Sequence, residues 1–196
     1  MFVIVLCALV AYANAANRLC YGDIMKLTPH GKASGGVTAS NSIVSSDLAA
    51  LTAHKNCYDA SADRNCIQAS VIAALASRES NGGSALRNGY GDGGKAWGIL
   101  QCDIVHSGQP CTSVPWNSCE HIEMMVHNIL LANIHTIQRM HPTWPPEHQL
   151  QGAVAAYNFG TRNVQTWAGV DVGTTGGDYS NDVMARAQWL HNHGWN

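Results

Sequence analysis

VIAALASRESNGGSALRNGYGDGGKAWGILQCD, residues 71–103, changes character twice and in doing so sets the fold. Val71, Ile72, Leu75 and Ala76 recur at helical spacing, which predicts a helix over about Ile67 to Ser80. Asn81-Gly82-Gly83 then ends it, because Asn and Gly enter left-handed backbone at low cost. Residues 88–94, NGYGDGG, are dense in turn formers. Lys95 to Asp103 reads as a strand that would put Trp97, Ile99, Gln101 and Asp103 on one side. A small hairpin or sheet therefore follows directly on a helix end.

On the N-terminal side, Thr38 or Ser40 is expected to cap a helix running to about His54, after a loop over 20–37 rich in Gly, Pro and Lys. Towards the C-terminus, Ile122, Val126, Ile129, Ile134 and Ile137 predict a long helix from Cys119 to Met140, stopped by Pro142. Another helix is expected over 147–158 after Pro145-Pro146. A Gly/Thr/Asp loop follows over 169–178, then a last helix over 180–193 capped by Ser180 or Asn181. The class is α+β, mainly α, with a small β-sheet or hairpin beside a cleft.

The chain has 196 residues, 46% hydrophobic and 12% charged, which fits one folded domain. Phe2 to Val10 is an apolar run followed by small residues, with Ala13-Asn14-Ala15 as a cleavage site. It is too short to span a bilayer, so residues 1–15 are expected to be a signal peptide and 16–196 the single mature domain, secreted and without a membrane anchor. Cys7 falls in the signal. Cys20, Cys57, Cys66, Cys102, Cys111 and Cys119 remain, an even number consistent with up to three disulfides among fifteen possible pairings. Their spacing lacks the close pairs of a zinc site, so neither a metal nor another cofactor is expected. A formal charge of -2 offers no electrostatic reason to bind nucleic acid. Most of the ten histidines are expected to protonate below about pH 6, turning the protein net positive towards anionic surfaces.

Glu79 follows Ile72, Leu75 and Ala76 by seven, four and three positions and so shares their helical face. Desolvation there, with the negative end of the helix dipole, favours the protonated carboxyl that a general acid needs. A Glu paired with Arg78 or Arg87, or simply solvated, is the plain alternative. Asp92 among glycines and Asp103 at the strand end are ordinary turn and boundary residues singly. With Glu79 they make the set an inverting glycosidase uses, an acid on one side of the bond and a carboxylate holding water on the other. Trp97, Tyr90, Tyr157 and Tyr179 lie in or beside Gly-rich loops and could stack on sugar rings, while Trp144 and Trp189 read as core.

The blocks VIAALASRES (71–80), NGYGDGGKAWGILQCD (88–103), AAYNFGTRNV (155–164) and DVGTTGGDYSNDVMARAQ (171–188) together resemble the goose-type lysozymes, in particular an invertebrate member. The resemblance runs from about Cys20 to Gly194. It implies a lysozyme-like fold and a monomer that hydrolyses bacterial peptidoglycan at the β-1,4 bond from N-acetylmuramic acid to N-acetylglucosamine, with inversion. It implies Glu79 as general acid and Asp92 and Asp103 positioning or activating water. Gln101, Tyr157, Asn158 and Tyr179 are implied as cleft residues, with Trp97 added as an aromatic platform. It also implies a Cys20–Cys66 disulfide, leaving the pairing of Cys57, Cys102, Cys111 and Cys119 open. After Asp103 the chain reads Ile104-Val105-His106 where vertebrate members are basic. A lytic transglycosylase shares several of these signatures, and a non-catalytic wall-binding protein is the second rival.

Overall fold

The computed structural model describes residues 18–196, so the expected signal peptide and Cys7 lie outside the described residues. The helices are α1 (Gly36–Thr52), α2 (Lys55–Asn65), α3 (Ala69–Ser80), α4 (Cys119–Met125), α5 (Ala132–Met140), α6 (Pro146–Phe159) and α7 (Tyr179–Asn192). A three-stranded antiparallel sheet, β1 (Tyr90–Gly91), β2 (Ala96–Trp97) and β3 (Cys102–Asp103), lies between α3 and α4 in the chain.

The centre of the molecule is α3, buried without a break from Ala69 to Ser77. It packs against α7, α2 and α1, so its apolar residues are surrounded rather than one-faced. Asn81 ends it in left-handed backbone at φ 52°. The Asn81 N–H returns to the Ser77 carbonyl, the bond of an αL cap, and the Gly82 N–H to the Ala76 carbonyl, which places Glu79 in the last turn. The long helix predicted from Cys119 to Met140 is one continuous rod, α4 and α5 joined by a π-helical segment, Val126–Leu131. Pro146 opens α6 at a position where its missing N–H costs nothing.

Several sequence expectations are corrected. The strand expected over Lys95–Asp103 is two short strands, β2 and β3, paired Ala96 with Asp103 and Trp97 with Cys102. Between them the chain turns over Gly98–Gln101, with the Gln101 N–H bonded to the Gly98 carbonyl and Gln101 at φ 50°. Ile99 is therefore fully buried while Gln101 is only partly so, and the two do not share one strand face as expected. Neither Thr38 nor Ser40 caps α1, which begins at Gly36 after Gly35 in left-handed backbone; the Ser40 hydroxyl bonds Asp182 instead. Ser180 and Asn181 do not cap α7 either. Asp171, from the preceding loop, accepts both their backbone N–H groups at 2.8 and 2.9 Å. The helix α2 has no counterpart in the sequence reading.

Among the described residues three disulfides form, Cys20–Cys66, Cys57–Cys119 and Cys102–Cys111. The first is the pair implied by resemblance. The second ties α2 to α4, and the third closes the loop that leaves β3. The expected titration of the histidines is also revised. His121 is fully buried and burial lowers its pKa to about 4, and burial lowers that of His54 as well, so neither contributes charge as readily as a free imidazole.

Candidate active site

A cleft of about 540 Å³ runs between the end of α3, the sheet, and the α6–α7 connection. Glu79, Asp92, Gln101, Asp103, Tyr157 and Asn158 all line it. Six residues singled out in the sequence thus share one groove, although they come from four separate segments.

Glu79 sits at the base of the groove. Burial pushes its carboxyl up from 4.5 to about 7. Two effects oppose that rise without cancelling it, a hydrogen bond donated by the Tyr179 hydroxyl to Glu79 Oε1 and the positive charge of Arg78. Arg78 is not the direct partner of Glu79. Its guanidinium is engaged by Asp178 at 3.0 Å and by Asp182, and lies over the Tyr179 ring at 5.3 Å. The plain alternative of a carboxylate neutralised by Arg78 is therefore not the arrangement observed. Asp182 is completely buried and also pairs with Arg186 at 2.7 Å, and Arg186 lies 3.9 Å from Asp47, so a network of two arginines and three aspartates adjoins the acid.

Asp103 has the opposite environment. Desolvation alone would raise its pKa, but the backbone N–H and imidazole of His106 and the N–H of Val105 together outweigh it and hold the carboxyl below its ordinary value. The bonds to Oδ1 are 2.8 and 2.9 Å, and His106 Nδ1 lies 3.0 Å from Oδ2. Asp92 stands exposed on the sheet rim in left-handed backbone at φ 45°. The groove thus brings together a carboxyl whose pKa burial raises to about 7, a second whose donors hold it below its ordinary value, and the exposed side chain of Asp92.

The remaining sequence candidates divide by position. Tyr157 donates its hydroxyl to the Leu100 carbonyl at 2.7 Å while lining the cleft. Asn158 clamps Thr175, accepting its N–H at 2.8 Å and donating to its hydroxyl at 3.2 Å. Gln101 bonds the Gly98 carbonyl at 2.7 Å, and a Cβ on Gly91 would displace its amide. Tyr179 is buried beneath Glu79. Trp97 packs edge-on against Tyr90, with its indole N–H on the Val114 carbonyl at 3.1 Å, behind the residues that line the groove. His106, Lys95 and Thr175 also line the cleft, unexpected from the sequence. Of these only His106 left a local trace, an imidazole three residues beyond a candidate aspartate. Among the described residues no cluster of His, Cys, Asp or Glu could hold a metal ion.

A helical domain with a small sheet flanking a carboxylate-lined groove defines a lysozyme-like glycoside hydrolase. The chain belongs to the lysozyme g family, whose model matches residues 21–194. It is 36% identical over 186 residues to a lysozyme g of Struthio camelus, a match covering 90% of this chain and 89% of that protein. It is 37% identical over 186 residues to one of Gallus gallus, covering 90% and 86%. A protein of Lottia gigantea described as glycine, glutamate and proline-rich is 51% identical over 195 residues, 92% of this chain but 46% of that longer protein. That last relative accords with the expectation of an invertebrate member.

Proposed function

We propose that the protein is a secreted muramidase that hydrolyses the β-1,4 bond between N-acetylmuramic acid and N-acetylglucosamine in bacterial peptidoglycan, with inversion. Glu79 protonates the leaving oxygen, and Asp92 and Asp103 position or activate the attacking water. The observation that carries this reading is the contrast across one groove: burial keeps Glu79 protonated to about pH 7, whereas donors around Asp103 favour its ionised form. An acid in that state has a proton to give at the pH where its partner can accept one. Gln101, Tyr157 and Asn158 border the sugar path, and Tyr179 orients the acid from below. Export is supported by the three disulfides, which persist in oxidising compartments, and by the apolar run Phe2–Val10. Among the described residues no helix is long and apolar enough to cross a membrane.

The test is turbidity clearing of purified bacterial walls by the protein and by its Glu79→Gln variant, followed by mass spectrometry of the products. The variant is expected to lose at least ~10²-fold in rate, the usual contribution of a general acid. Reducing ends without an anhydro ring are expected. Anhydro-muramic ends identify a lytic transglycosylase instead. Undiminished clearing by the variant removes Glu79 from the chemistry, and binding without cleavage by the unsubstituted protein identifies a wall-binding protein.

A further inference from the structure

The turn over Gly98–Gln101 carries one wall of the cleft, and nearly every peptide group in it is held from outside. The Gly98 N–H bonds Gly89, the Ile99 N–H bonds Trp116 at 3.0 Å, and the Ile99 carbonyl accepts the Ser80 hydroxyl at 2.7 Å. The Leu100 carbonyl accepts Tyr157. The Leu100 N–H points into the core, where its acceptor is Nε2 of His121 at 3.3 Å, in the first turn of α4.

His121 is completely buried, and its own position is set by the Ser118 hydroxyl, which accepts the His121 backbone N–H. Because Nε2 accepts, the neutral ring carries its proton on Nδ1. That N–H has no hydrogen-bond partner among the described residues. An unpaired buried donor is unfavourable, and an apolar side chain would fill the space without it. What an apolar side chain could not supply is the acceptor for Leu100. The close fit extends to Gly98, at φ 81°, where a Cβ would collide with the imidazole.

We propose that His121 is a positioning residue for the cleft: its Nε2 fixes the Leu100 N–H and with it the turn, whose next peptide presents the Leu100 carbonyl to the Tyr157 hydroxyl and leads into Gln101. His121 itself stays clear of the groove and acts only through the turn. This assignment rests on the muramidase reading for its kinetic consequence, but its structural consequence can be measured without any substrate.

The experiment compares His121→Phe, which fills the space without an acceptor, with His121→Gln, whose side-chain oxygen can reach the place of Nε2. Each variant is checked for a cooperative melt. Should Phe not fold, His121→Asn, whose shorter amide cannot reach Leu100, replaces it. Hydrogen exchange at the Leu100 amide is read first: protection is expected to fall at least tenfold in the Phe or Asn variant and to stay within threefold in Gln. Kinetics on soluble peptidoglycan fragments are read second. A KM raised at least fivefold is expected without the acceptor, with the alkaline limb of the pH profile unmoved because Glu79 is untouched; Gln is expected to restore KM to within twofold. Unchanged Leu100 protection in a folded variant lacking the acceptor overturns the proposal, as does a Gln variant impaired as severely as Phe. Loss of protection in a protein that cleaves no peptidoglycan before substitution upholds His121 as the holder of the turn while refuting the muramidase reading, so the two failures are distinguishable.

Discussion

Replacing Glu79 by Gln should remove activity and, at neutral pH, make the protein more stable. The folded protein holds the Glu79 proton up to about pH 7, whereas the unfolded chain releases it near 4.5. Between those values the native state binds more protons, so Glu79 contributes stability that is complete below 4.5 and is lost as pH rises to 7. At 1.36 kcal/mol per pH unit the ceiling is about 3.4 kcal/mol, and partial contact of the carboxyl with the cleft water reduces it to roughly 2–3 kcal/mol. Gln cannot ionise, and its oxygen can still accept the Tyr179 hydroxyl, so the variant escapes this loss. The assay is urea denaturation of both proteins from pH 4 to 8.5. The difference in unfolding free energy should be near zero at the acid end, open between 4.5 and 7, and level off above. In melting temperature the plateau is about 5–10 °C for a chain of this size. His121 titrates in the reverse sense, its folded pKa of about 4 making stability fall as pH drops below 6.5. Both proteins share that effect, so the difference between them isolates Glu79. A gap of constant size at every pH, or a destabilised variant above pH 7, refutes the claim that burial keeps this carboxyl protonated.

Tyr179→Phe removes a donor that favours ionised Glu79, so the alkaline limb of the kcat/KM profile should move upward from about pH 7; a downward shift contradicts the stated cause. Breaking the Cys102–Cys111 bridge by the double substitution to Ala opens a loop nine residues in span, which should cost roughly 2–3 kcal/mol in urea denaturation. Lysis should fall with it, since Asp103 follows Cys102; full activity with an unchanged melt contradicts a role for the bridge in fixing that carboxylate. Asp182→Asn leaves Arg78 and Arg186 without their shared buried anion and should cost about 3–5 kcal/mol, measured by denaturant midpoint, with a loss below 1 kcal/mol showing that Asp178 and Asp47 suffice.

The helix bearing Glu79 was legible because an apolar repeat ended at Asn81-Gly82-Gly83, two local signals that agree. The helix α2 was not, because its buried face is Tyr58, Ser61, Ala62 and Asn65. Those positions have helical spacing, but small and polar side chains occupy three of them, so hydropathy shows no period. The sheet was legible as a sheet and not as a register. Strands of two residues carry no alternation to read, and Gln101 adopts left-handed backbone that its residue type does not announce. Caps failed for a similar reason: Asp171 serves α7 from eight residues before its start, beyond the window in which a cap is sought. Among the cleft residues, Glu79, Asp92 and Asp103 stood out by chemistry and by resemblance. The buried contacts that set their environments, Tyr179 under Glu79 and His121 behind Leu100, depend on separations of 100 and 21 residues and leave no trace in the local sequence.

Five described residues other than glycine have left-handed backbone, and four of them, Asn81, Asn88, Asp92 and Gln101, fall between the end of α3 and the start of β3. Each costs on the order of 1 kcal/mol relative to ordinary backbone, less for Asn and Asp than for Gln. The same segment carries Glu79, held neutral by desolvation, and rests on His121, whose Nδ1 is unpaired. These unfavourable terms are confined to about twenty residues around one groove. The helices packed on α3 and the three disulfides lie outside that segment, and they supply the stability it lacks. Such a division is what preorganisation requires, since groups held in place before substrate arrives need no reorganisation at the moment of reaction. It also explains why restoring local comfort at this segment, as with Gln at position 79, should strengthen the fold and silence the chemistry together.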